Sequence, residues 1–110
     1  MKSSKDFLSG TLRTIILALL KEHGKMYGYE ICQLTAKLTH EEILLTEGAI
    51  YPALHKMEKQ GLLISSKQQV NGRMRKYYEL NQESLPEVVQ EIQLLLNFSQ
   101  HLKNLLKPAL

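Results

Sequence analysis

The chain has 110 residues, one domain's length, and its 44% hydrophobic and 23% charged residues argue against disorder. Its single cysteine, Cys32, excludes an intrachain disulfide, argues against a thiol metal site and reads as a small buried hydrophobe. A net charge of +3 permits a polyanionic partner without demanding one, so the placement of the cations matters more than their sum.

No apolar run approaches the ~18 residues of a membrane-spanning helix. The opening MKSSKDFLSG lacks the layout of a signal peptide, because IILALL arrives late and is brief. A cytoplasmic location and no membrane partner are expected.

From Ser9 to Glu22, the residues Leu12, Ile15, Ile16, Leu19 and Leu20 recur at helical spacing, and Gly24 marks the exit. A second helix is predicted from Tyr27 to Leu38, with Ile31, Leu34 and Leu38 facing inward. Thr39 to Leu45 links it to a third helix with an apolar stripe of Ile50, Ala53, Leu54 and Met57, ended by Gly61. Pro52 is the anomaly here, because an interior proline costs about 3 kcal/mol or more. With Thr46 as N-cap it is the sixth helical residue. A helix starting nearer Gly48 or Ala49 would carry it within or just after the first turn at a smaller cost. The expectation is an irregular or late-starting first turn.

Leu62 to Gln69 and Arg73 to Leu80 are extended runs separated by Val70-Asn71-Gly72, and Asn-Gly suits the positive φ angles of a type I′ turn. Such a turn pairs Val70 with Arg73 and sets Lys67 opposite Lys76. Ser84 opens a long helix to about Lys107, with Pro86 in the first turn, where a missing N–H costs little, and Pro108 as the stop. Three helices, a hairpin and a long helix make a winged helix-turn-helix, mainly α with a small β-hairpin. Residues 1–82 are assigned to the reading domain and 83–110 to the C-terminal helix.

Between Gly61 and Tyr78 there is no Asp or Glu, but there are Lys67, Arg73, Arg75 and Lys76. Like charges facing each other destabilise a ladder, so a hairpin with no local counter-charge suits a polyanion. The plainer reading is a solvated hairpin whose lysines protect an edge strand. An amphipathic helix alongside favours phosphate binding. That helix turns Glu47, Tyr51, His55, Lys56 and Lys59 outward, and Tyr, His and Lys donate to phosphates or reach base edges. Glu47 suits the positive end of the helix dipole. Glu58 reads as a solvated partner for a neighbouring lysine, and the lesser alternative for His55 is a satisfied histidine at the edge of the core.

Catalysis has little support. His23, His40, His55 and His101 lack zinc-ligand spacing, and there is no nucleophile elbow, phosphate-binding glycine loop or cysteine-histidine signature. No enzyme activity, cofactor or metal is expected.

YGYEI (Tyr27 to Ile31), GAIYPALHKMEKQGLL (Gly48 to Leu63) and GRMRKYYEL (Gly72 to Leu80), with LSGTLRTIILALL before them, resemble the PadR family of bacterial transcriptional regulators. The resemblance runs from Leu8 to Leu80, and the single C-terminal helix is similar to the smaller PadR subfamily. It implies a winged-helix dimer that binds pseudo-palindromic operators in double-stranded DNA, usually a repressor released by a small molecule. It places Gly48, Tyr51, Pro52 and His55 on the DNA-facing helix and Gly72, Arg73, Arg75 and Lys76 in the wing. The chain departs from the family pattern at Met74, commonly proline, and at Asn81 to Ser84, often a threonine and a glycine.

Val88, Ile92, Leu95, Ser99, Leu102 and Leu106 form a heptad seam, widened by Val89, Leu96, Phe98 and Leu105. A helix of about 24 residues is ~36 Å long, more than a three-helix domain can cover. Dimerisation is therefore assigned to Val88, Ile92, Leu95, Leu96, Leu102 and Leu106, against the alternative of a helix folded wholly onto its own core. The family resemblance implies a small apolar or aromatic effector bound in the apolar space between the paired helices. The competing class of function is a winged-helix protein-interaction module that binds no DNA.

Overall fold

The computed structural model describes residues 7–8 and 10–110, so the predicted helix start at Ser9 lies outside the described residues. Helix α1 spans Leu12–His23, anchored by the amides of Thr11 and Leu12, which both donate to the Leu8 carbonyl. Strand β1 (Met26–Tyr27) follows, then helices α2 (Gly28–Leu38) and α3 (Glu47–Lys59), strands β2 (Leu63–Val70) and β3 (Arg73–Leu80), and helix α4 (Leu85–Leu106).

The hairpin forms in the predicted register, with Val70 opposite Arg73 and Lys67 opposite Lys76. Asn71 and Gly72 take φ of 52° and 79°, the pair of positive values a type I′ turn requires. Substituting Met74 for the family's proline leaves β3 a continuous eight-residue strand. The sequence pattern missed β1, which pairs Met26 with Tyr78 and Tyr27 with Tyr77 and makes β3 the central strand of three. Two residues are too short a run to show a period of two.

The core gathers one stripe from each helix and one face of the sheet: Ile16, Leu17 and Leu20, then Ile31, then Ile50, Leu54 and Met57, closed by Leu63, Tyr78 and Leu80. In α2 the prediction needs correction. Leu38 is 55% exposed, while Thr35 is buried with its hydroxyl donating to the Ile31 carbonyl at 2.8 Å. Leu38 points the same way as Ile31, but it is the last helical residue and extends past the core.

Helix α3 ends in two hydrogen bonds, Leu62 N–H to Met57 O and Gly61 N–H to Glu58 O, which turn the chain into β2. The junction that departs from the family pattern is a short 3₁₀ turn, Gln82–Ser84, held by Asn81 donating from its side chain to the Gly61 carbonyl at 3.0 Å.

The first turns of α4 lie against α1. Val88 is 1% exposed and belongs to its own chain's core, and Ile92 packs against that core. Beyond Leu95 every residue to Leu110 is exposed, and the projecting helix stretches the molecule to 53 Å against 20 Å in its thinnest direction.

Candidate nucleic-acid interface

Thr46 caps α3, its hydroxyl accepting from the Ala49 amide at 3.2 Å, and Ile50 N–H already bonds back to the Thr46 carbonyl. The helix therefore begins at Glu47 and continues without interruption to Lys59. This overturns the expected late or irregular start: Pro52 is the sixth helical residue. Its ring is exposed, and the carbonyl that loses its helical donor belongs to Gly48, also exposed, with nothing within 4 Å of where a side chain would stand.

The outer edge of α3 carries Gly48, Pro52, His55, Lys56 and Lys59, all exposed. Two flanks fall away from this edge. On one, Glu47 and Tyr51 line a groove of about 520 Å³ opposite the wing, whose other wall is Arg73, Met74, Arg75 and Lys76, with Tyr27 and Tyr29 at its base. On the other, Ala49, Ala53, Lys56 and Met57 line an apolar cavity of about 630 Å³ with Leu8, Leu12, Arg13 and Leu44. The structure thus separates two residues the sequence had grouped: Tyr51 lies in the wing groove and Lys56 at the mouth of the apolar cavity. The cations that line the apolar cavity are Arg13 and Lys56, whereas Arg73, Arg75 and Lys76 line the wing groove.

Tyr51 is half-buried, not fully outward. Its ring packs over the first residue of α2, Gly28, where a side-chain carbon would come within 2.8 Å of it. Burial, and after it the Glu47 carboxylate, raises the phenol's pKa, so the hydroxyl stays a proton donor at neutral pH. Cys32 nearby is half-buried, and burial first, then the Glu47 carboxylate, likewise raises its thiol, which disfavours the thiolate.

The four wing cations are not equivalent. Lys67 and Arg73 are exposed, as is Gly72 at the turn. Arg75 is half-buried against the ring of Tyr27. Lys76 forms an ion pair with Glu58 of α3 at 3.2 Å and lies 5.3 Å over the ring of Tyr78. The expected absence of counter-charge holds along the hairpin's sequence but not in space, because α3 supplies it. Glu58 also accepts from the Ser65 hydroxyl of β2, so this one carboxylate pins both wing strands to the helix. The Ser65 hydrogen bond first, and Lys76 with it, holds Glu58 below its ordinary value, and Glu58 in turn raises Lys76. The sequence signal for Glu58 was its spacing, since residues 51, 55 and 58 share one flank of a helix.

Arg13, unlike Glu58, was missed. Its guanidinium donates to Glu91 of α4 at 2.9 Å and to Gln60, just past α3, at 2.6 Å. It joins the C-terminal end of α3 to α4, and only its position outside the α1 stripe distinguished it in the sequence.

Of the proposed seam, Val88 serves its own core, Ile92 packs against that core, and Leu95 is half-buried. Leu96, Leu102 and Leu106 are exposed, together with Phe98 and Leu105. Among the described residues no His, Cys, Asp or Glu group is arranged to hold a metal, and no helix is long and apolar enough to cross a membrane.

Comparison with known proteins places this geometry. The model of the transcriptional regulator PadR-like family matches residues 16–84, more than half of the chain. A transcriptional regulator from Clostridium thermocellum superposes with a TM-score of 0.79 at 29% identity, over 92% of this chain and 98% of its own. A PadR-like regulator from Bacillus cereus gives 0.74 at 29% identity, over 92% and 96%. A PadR family regulator from Eggerthella lenta gives 0.75 at 27% identity, over 92% and 86%. The winged-helix architecture, the cationic wing beside a presented helix and these likenesses agree, and the chain belongs to the PadR-like family of transcriptional regulators rather than to an enzyme class.

Proposed function

We propose that the chain is a sequence-specific DNA-binding repressor that acts in the cytoplasm as a homodimer on pseudo-palindromic operators and is released by a small apolar or aromatic molecule. One observation carries this reading. Arg73 and Arg75, without an ion-pair partner among the described residues, line one groove with Tyr51 on the flank of α3, beside that helix's exposed edge, so a duplex seated on α3 would meet both arginines at its backbone. Gly48, Tyr51, Pro52 and His55 would lie in or beside the major groove. Lys56, Lys67 and the Gly72 turn would flank it, while Lys76 would act chiefly by holding the wing in place.

The dimer would form through the projecting half of α4, where Leu96, Leu102 and Leu106 have no cover in their own chain. Residues 83–110 then join two reading domains of residues 1–82, setting half-sites about 34–36 Å apart or a multiple of that. The effector would enter the apolar space between the paired helices.

The test is a mobility-shift titration against fragments selected from the source genome, repeated across salt concentrations. Replacing Arg73 and Arg75 with Ala should weaken binding to every sequence and reduce the slope of log K against log salt by up to about 2. Weak, salt-insensitive binding of the wild type to every duplex would instead favour a protein-interaction module.

A further inference from the structure

Arg75 is held in place. Alternation along β3 sets Arg73, Arg75 and Tyr77 on the face opposite Lys76 and Tyr78. Strand β1 joins the sheet with Tyr27 opposite Tyr77. The Arg75 guanidinium carbon lies 4.4 Å from the centre of the Tyr27 ring. That ring meets Tyr77 edge to face, with centroids 5.3 Å apart and planes at 78°, and the Lys25 ammonium lies 6.0 Å over Tyr77. The Tyr27 backbone is fixed by its strand pairing and by its amide donating to the Glu30 carboxylate at 3.1 Å.

Among the described residues the Arg75 guanidinium has no hydrogen-bond or ion-pair partner. A guanidinium lying on an aromatic face keeps its in-plane N–H donors free. It is also restrained before binding, so less side-chain freedom is lost when it meets an anion. Arg73, two residues away on the same face, is exposed and has no ring beneath it.

We propose that Tyr27 is a positioning residue for Arg75, holding the guanidinium at the groove between α3 and the wing so that it meets a backbone phosphate already oriented. This inference rests on the DNA-binding reading above. It also gives the two-residue strand β1 a purpose, since the β2–β3 hairpin closes without it.

Two measurements test it. In the free protein, NMR should find the Arg75 δ-protons shifted upfield by the Tyr27 ring, a shift that Tyr27→Leu abolishes and Tyr27→Phe keeps. Titration with random-sequence duplex at low salt should then show Tyr27→Leu weakening binding roughly two- to five-fold when Arg75 is present. The same substitution should do nothing in an Arg75→Ala background, and Tyr27→Phe should bind as the wild type does. Equal losses in both backgrounds would mean that Tyr27 acts through the fold and would overturn the proposal, as would a wild type without the upfield shift. A wild type that shows the shift but binds no duplex removes the DNA reading itself, and the positioning role with it.

Discussion

The ring of Tyr51 fills the space in which residue 28 would otherwise carry a side chain. A carbon added at Gly28 would lie 2.8 Å from two ring atoms, so the start of α2 and α3 approach each other only because that position is glycine. Tyr51 is thereby fixed against the domain before it meets any partner. Gly28→Ala must push the ring outward, and despite alanine's better helix propensity we expect a loss of about 1–3 kcal/mol. Chemical denaturation measures it. An unchanged midpoint would mean that the ring swings away freely, in which case Tyr51 is not held.

Pro52 gives a prediction of opposite sign. It interrupts the hydrogen bonding of a helix that is otherwise continuous, and its ring is exposed. Pro52→Ala restores the bond to the Gly48 carbonyl and should stabilise the fold, by up to about 3 kcal/mol. If the proline edge meets DNA, the same variant loses operator affinity while gaining stability. A variant with higher melting temperature and unchanged affinity would take Pro52 out of the interface.

The Glu58 clamp should titrate. A carboxylate whose folded pKa is depressed contributes stability above its ordinary value of 4.5 and loses it as pH falls through the lower folded value. Glu58→Gln should therefore be less stable than wild type at neutral pH, and the gap should close as the pH drops below that value. Acid unfolding of the two proteins side by side reads this out, and a gap that stays constant down to pH of about 3 would place the stabilisation elsewhere.

The two halves of α4 should respond differently to substitution. Val88 is buried in its own chain, so Val88→Ala should cost about 1–3 kcal/mol of stability and leave the oligomeric state alone. Leu102→Glu with Leu106→Glu alters two exposed side chains and should leave each domain folded but monomeric. Sedimentation velocity at micromolar concentration separates the cases. A wild type that sediments as a monomer would remove the dimer from the proposal.

What could be read from the sequence was what short stretches decide among themselves. Asn71-Gly72 set the hairpin register down to the Lys67–Lys76 pair, because few residues accept two positive φ angles in succession and the turn then counts off both strands. The stripe of Ile50, Leu54 and Met57 followed from the helical period, and the quoted motifs carried the family resemblance.

Tertiary structure alone decided which faces meet. Leu38 had the right period but stood past the end of the core. Val88 belonged to a heptad seam, yet α1 covered it first. The hairpin lacked acids along its length, but Glu58 reached it from α3, 18 residues before its partner Lys76. Tyr27 caps the predicted helix and also joins a sheet built mostly from residues far along the chain. Periodicity tells which side chains share a face. What lies opposite that face depends on how distant segments pack, and no local pattern records it.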